Sequence, residues 1–195
     1  MATRKLDRRV QRTRELLLDA FVSLMIERGY QKLTVEQLLD RAGVGRATFY
    51  THFRSKEDLL SCSVERLAAH LRQAWESTAA VGVGARERFG FTLAFFCHID
   101  SHRRIYHLNV GRASGVTVEK HMRAMLAELV REDLRMSRDL RAAATNTEFA
   151  VHYVVGAMWS VVVWWLEERP TLSARQINDE FRRLVFSGLD SVLRA

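Results

Sequence analysis

A chain of 195 residues, 48% of them hydrophobic, is long enough for one large domain or two small ones with a proper core. Its two cysteines, Cys62 and Cys97, lie far apart with no CxxC pair, which leaves no basis for a disulfide framework or a zinc module. The net charge of +7 and pI near 10 point to a polyanionic partner, either nucleic acid or an anionic membrane.

The first 14 residues hold Arg4, Lys5, Arg8, Arg9, Arg12 and Arg14 against Asp7 alone. Two compatible readings stand: an arm that reaches a minor groove or lies along phosphates, and a solvated tail. The N-terminus is charged and lacks the apolar stretch of a secretion signal, so a reducing cytoplasm is the expected compartment. Few breakers and a single proline predict a mostly helical protein.

Residues 8–28 predict a first helix from Leu17, Ala20, Phe21 and Leu24, with Gly29 as its C-terminal cap. Thr34-Val35-Glu36-Gln37 predicts a capping box opening a short helix that Gly43 ends in the left-handed region. Gly45 opens the next short helix, to about His52, and Ser55 caps a long one to about residue 79. Gly82-Val83-Gly84 is expected as a linker. Helical patterns resume over 86–101, 102–110, 117–137, 145–168 and 173–194, broken at Gly111–Gly115 and at Pro170. Ser173 to Gln176 is a second capping box. The fold class predicted is all-α, with no β pattern of useful length and no internal repeat.

The two short helices around a glycine turn describe a helix-turn-helix. In the second, Phe49 and Phe53 are four apart and share an apolar face, which aims Arg46, Ala47, Thr48, Tyr50 and Thr51 outward. An arginine can bridge O6 and N7 of guanine, and a small residue such as Ala47 lets the backbone approach bases. Hydroxyls, the His52 imidazole and Lys56 suit phosphate oxygens. The competing reading is a solvated helical hairpin with ordinary surface charges.

The stretch "LTVEQLLDRAGVGRATFYTHFRSKEDLL", residues 33–60, closely resembles the DNA-binding signature of the TetR family of bacterial transcriptional regulators. The matching elements are Thr34-Val35, Ala42-Gly43-Val44, Thr48-Phe49-Tyr50, His52-Phe53 and Lys56, followed by Leu59 or Leu60. The resemblance implies base contacts from Arg46, Ala47 and Tyr50, and phosphate contacts from Thr34, Thr48, Thr51, His52 and Lys56. Gly45 departs from the capping serine or threonine such proteins often carry. The resemblance further implies a homodimer on a palindromic double-stranded DNA operator. It also implies a domain division into residues 1–54, with a basic arm at 1–9, and a helical effector-binding and dimerisation domain at 55–195.

Residues 82–195 carry no motif of similar strength. Phe91, Phe95, Tyr106, Met122, Met125, Phe149 and Tyr153 are expected to line a pocket for a small, largely hydrophobic effector, or else to be core. The closing segment is similar to the ends of such regulatory domains, in which the last two helices pack on their copies. Trp159, Trp164, Trp165, Phe181 and Val185 are the interface candidates, with simple core packing as the alternative. No cofactor is expected, and neither catalytic residues nor a metal site is assigned. Two rivals remain: a metal-dependent helical enzyme using His98 and His102, four apart on one face, and a protein anchored through the charge-free segment 149–166.

Overall fold

A computed structural model describes residues 2–81, 88–109, 115–136, 146–168 and 171–193. The expected breaks at Gly82–Gly84, at 111–114 and at Pro170 lie outside the described residues. Among these residues the chain forms nine helices and no strand. They are α1 (Ala2–Arg28), α2 (Val35–Ala42), α3 (Arg46–His52), α4 (Lys56–Val81), α5 (Thr92–Ser101), α6 (Arg103–Asn109), α7 (Val116–Met136), α8 (Thr147–Glu167) and α9 (Ala174–Leu193).

The predicted start of the first helix at residue 8 is corrected: from Ala2 onward the basic segment is helical and continuous with α1. Arg14, counted with that segment, is instead tied inward. Its guanidinium lies over the Phe53 ring at 4.9 Å and its Nη2 donates to Cys62 Sγ at 3.0 Å, joining α1 to α4.

The caps are where local chemistry demands them. The Gln37 amide donates to the Thr34 hydroxyl at 3.3 Å, and Gln37 Oε1 accepts from the Thr34 amide at 3.2 Å. Gly43 sits at φ 62°, a left-handed conformation open to glycine without a Cβ penalty, and this makes the sharp turn into α3. Gly45 caps α3 with no side-chain bond. Ser173 and Gln176 form the second box at the start of α9.

The head core is built by α1, α2 and α3. Leu17, Phe21 and Leu24 meet Leu38, Phe49 and Phe53, all buried. Full burial of a side chain such as Phe49 contributes about 2–3 kcal/mol. The expected domain boundary after residue 54 falls just before α4, whose buried Leu59 and Leu60 belong to its first turns. The same helix then carries Leu67, Leu71 and Trp75 into the body, where Trp75 meets Phe91 edge-on at 5.6 Å. Helix α7 packs on α4 and α8, and α9 packs on α5. Phe96 of α5 stands edge-on to both Trp165 of α8 and Phe181 of α9. Arg72 clasps Glu132 with two hydrogen bonds, at 3.0 and 2.8 Å, pinning α4 to α7.

The predicted helix over 86–101 is shortened. A turn occupies residues 88–91 and α5 begins at Thr92. Phe89 adopts φ 51°, a region that opposes helix continuation. Its amide donates to Asp133 Oδ1 at 3.2 Å and its ring stacks on Phe186.

Candidate nucleic-acid interface and adjoining cavity

Helix α3 separates its residues as its spacing requires. Phe49 is fully buried, while Arg46, Ala47, Thr48, Tyr50 and Thr51 are exposed. Tyr50 keeps half of its surface free and braces its ring edge-on against Phe49 at 5.2 Å. Among the described residues Arg46 has no ion-pair partner, so its fork of donors is free for a planar acceptor pair. His52 is half-buried at the end of the helix.

The groups expected at phosphates are in different states. Thr34 uses its hydroxyl oxygen as a cap but retains the proton to donate. Thr48 is exposed, whereas the Thr51 hydroxyl donates back to Ala47 O at 3.0 Å and so offers only lone pairs. Lys56 is corrected in part. Its ammonium donates to Tyr30 O at 3.2 Å and Leu33 O at 3.1 Å and lies over the Tyr30 ring, leaving one donor for a phosphate. Burial and the nearby Glu57 push the Tyr30 phenol up to about 12. Lys56 therefore staples the 30–33 connection that leads into α2. Opposite it, Arg41 of α2 clasps Glu27 of α1, both bonds at 2.8 Å, which holds Glu27 below the usual carboxylate range.

Directly behind α1 lies a cavity of about 160 Å³. Its wall takes Phe21, Val22 and Met25 from α1, Leu60, Ser63, Val64 and Leu67 from α4, and His98 from α5. His102, Ile105, Tyr106, Val118 and Met122 complete it from the body. Of the residues predicted for a pocket, the structure brings Tyr106 and Met122 to this wall. The others are corrected. Phe91 and Phe95 are fully buried core, packed on Trp75 and Phe96 respectively. Met125 lines a neighbouring groove of about 330 Å³ with Ser61, Glu65, Arg72, His121 and Glu128. Phe149 and Tyr153 point to solvent, at 70% and 48% exposure.

The His98 and His102 rings sit 4.3 Å apart, and His102 Nδ1 lies 2.9 Å from His98 O. Burial, reinforced by the charges of His102 and His70, holds His98 down to about 4, so the ring is neutral at pH 7. Among the described residues no group of three or more His, Cys, Asp or Glu is placed to hold a metal ion.

Residues 17–61 match the family described as bacterial regulatory proteins, tetR family, and residues 88–187 match that described as transcriptional regulator C-terminal region. The chain belongs to the TetR family. It is thus a helix-turn-helix transcriptional regulator and not an enzyme. It is similar to the HTH-type transcriptional repressor KstR2 of Mycolicibacterium smegmatis, at 24% identity over 191 residues and 90% of both chains. It is 38% identical over 69 residues to the uncharacterized regulator YxbF of Bacillus subtilis, a match covering 35% of this chain and 18% of that one. The chain spans less than a quarter of the first curated relatives it matches. A TetR-family structure from Syntrophomonas wolfei superposes with TM-score 0.69 at 18% identity, covering 95% and 96% of the two chains. Thermus thermophilus FadR, a repressor solved with lauroyl-CoA, gives 0.62 at 20%, covering 90% and 94%. At these identities the structures establish the shared fold.

The body of this TetR-family chain also corrects the predicted interface. Trp159, Trp165, Phe181 and Val185 are buried within the subunit, and Trp164 alone of the five is exposed. Trp165 is held there by its Nε1–H bond to Leu172 O and by Arg103 over its ring. Helix α8 is long and apolar enough to span a membrane by composition, but half of that window is buried inside the protein. Between its polar ends it leaves one stripe outside: Phe149, His152, Tyr153, Ser160 and Trp164, with the half-buried Gly156 between them. Sequence reasoning missed this stripe and the α1 and α4 wall of the cavity. The i, i+4 spacing of Phe149 and Tyr153 was the available signal, but in an all-apolar helix it marks every face alike.

Proposed function

We propose that this TetR-family regulator is a homodimeric repressor that leaves its operator when a small, largely apolar effector enters the cavity behind α1. The observation that carries the reading is the shared wall: α1 of the head and α5–α7 of the body both contribute to it. An occupant therefore contacts both domains and biases their relative placement by its unequal contacts in the two arrangements.

Helix α6 supplies a route to the head. His102, Ile105 and Tyr106 line the cavity, and Asn109 follows one turn later. Asn109 Oδ1 accepts from the Tyr30 amide at 2.8 Å, and its Nδ2 donates to Ile105 O at 2.7 Å. Gly29, at φ 76°, lies directly against this contact, where a Cβ would stand 3.6 Å from Asn109 Oδ1. Tyr30 in turn is held by Lys56. A shift of α6 thus pulls on the connection that sets α2 and α3.

The exposed stripe of α8, continued by Leu184 of α9, is the face we assign to the second copy. Two recognition helices then read half-sites about 34 Å apart, one turn of DNA. The name of KstR2 as a repressor and the lauroyl-CoA complex of FadR support regulation by release and by ligand.

The test is selection of genomic fragments by the purified full chain, followed by footprinting. A palindromic footprint with one-turn spacing is expected, lost in Arg46→Ala. A binding site shorter than two half-sites would defeat the dimeric reading.

A further inference from the structure

Three properties of the cavity wall narrow what it accepts. The first is size. A volume of about 160 Å³ is close to the ~150 Å³ of an engineered apolar cavity that holds benzene. It is well below the ~300 Å³ at which sites for larger ligands begin. The second is charge. The wall contains no Asp, Glu, Lys or Arg, and His98 is neutral at pH 7. A carboxylate, phosphate or ammonium group would enter without a counter-charge.

The third is an unanswered hydroxyl. Tyr106 is 96% buried, at 4% exposure, yet no described residue hydrogen-bonds its phenol. Burial pushes that phenol up, so it stays a donor across the physiological range. Its oxygen is not among the buried polar atoms sealed off without a partner, so it opens onto the cavity, where the polar atom of an occupant can meet it. Of the other polar members of the wall, Ser63 donates to Leu59 O, and His102 turns its Nδ1 toward His98 O. The His98 ring stands edge-on to Tyr106, 5.9 Å between centroids. As a neutral imidazole it offers one donor and one acceptor nitrogen.

We infer that this cavity binds a neutral, single-ring molecule bearing one hydroxyl or carbonyl group, of the class of a phenol or a cyclic ketone. The ring fills the space among Phe21, Met25, Leu67 and Met122, and the polar atom meets the Tyr106 hydroxyl beside His98. The assignment deepens the effector reading and rests on it. It also separates this site from one for long acyl chains, since the neighbouring 330 Å³ groove is lined by Glu65, Arg72 and Glu128 and offers no apolar tunnel.

The experiment is calorimetric titration of the full chain at pH 7 with phenol, cyclohexanone, toluene, benzoate and octanoate, repeated on Tyr106→Phe and His98→Leu. Operator affinity is measured with each compound in parallel. Phenol and cyclohexanone are expected to bind about tenfold more tightly than toluene, as one added hydrogen bond allows. Tyr106→Phe, which keeps the ring and its packing, should erase that advantage while toluene binding survives. Benzoate and octanoate should bind at least tenfold more weakly than phenol. Tighter benzoate or octanoate, unchanged phenol binding in both variants, or no binding by any compound would overturn the assignment. If octanoate or benzoate alone releases the operator, the effector reading stands and this ligand class falls. If phenol binds through Tyr106 but leaves operator affinity unchanged, the site stands and the effector reading falls.

Discussion

Helices α3 and α8 both carry aromatic residues at four-residue spacing, and they put them to opposite uses. In α3 the apolar Phe49 alternates with Arg46, Thr48 and Thr51, so only one orientation buries the ring and wets the charge. In α8 nearly every position is apolar, and burial energy hardly distinguishes one face from another. The neighbours decide. Helices α5, α7 and α9 take up Val151, Met158, Trp159 and Trp165, and leave Phe149, Tyr153 and Trp164 outside. A helical pattern locates a functional face only where residue chemistry contrasts around the helix.

The largest effect expected from this contrast is within α8. Trp165→Ala should open a cavity among Phe96, Arg103 and Leu172 and cost about 3–5 kcal/mol in urea unfolding. Trp164→Ala, one residue away, should change subunit stability by under about 1 kcal/mol while shifting the proposed dimer toward monomer on size-exclusion chromatography. Equal destabilisation by both would erase the distinction between the two faces.

The matching pair in α3 comes next. Arg46→Ala and Tyr50→Ala should each lower operator affinity by about 10- to 100-fold, or roughly 1–3 kcal/mol. Their melting temperatures should match the parent, because neither side chain is buried. Anisotropy titrations against operator and random DNA check this; equal losses on both sequences would show that the two residues carry no base readout.

A pH effect probes the cavity wall where the head meets the body. His98 is held down to about 4 in the folded chain against 6.5 when free, with His102, His70 and Tyr106 around it. As pH falls from 6.5 toward 4 the unfolded chain takes up the proton first, so stability is lost across that window, by roughly 3 kcal/mol. His98→Phe should flatten the urea midpoint between pH 7 and 4.5. A slope unchanged in that variant would assign the acid sensitivity elsewhere.

The smallest effect concerns Lys56. Its replacement by alanine leaves the Tyr30 and Leu33 carbonyls without that donor and should cost about 1 kcal/mol. If its remaining donor also meets a phosphate, the slope of log affinity against log salt should fall by about one. Lost stability with an unchanged slope would make Lys56 a staple only.

Much of the head was legible in the sequence because its signals are local. Thr34 and Gln37 satisfy orphan amides within one turn, Gly43 alone suits the left-handed joint, and Ser173 with Gln176 repeats the device at α9. Each depends on residues a few positions apart. The Lys56 staple was not legible, since an ammonium near a helix start looks the same whether it faces phosphate or folds back onto a carbonyl 26 residues away. The cavity was less legible still. Phe21 read as part of the buried face of the first helix, His98 as one of a histidine pair, and Tyr106 and Met122 as pocket candidates of the body, with nothing to join them. Nothing within one turn of any of them records that four other helices converge there.

By itself, then, the sequence determined that the chain is helical, where most of its helices end, and that one short helix turns arginine and tyrosine outward while hiding its phenylalanines. Those outcomes follow from backbone capping and from contrast in side-chain polarity, both of which act over three or four residues. Only the tertiary structure decided which tryptophans of α8 face inward, and that α1 of the head closes a small uncharged chamber against the body. Both depend on how apolar surfaces of similar energy are shared among distant helices, and that competition is resolved by packing alone.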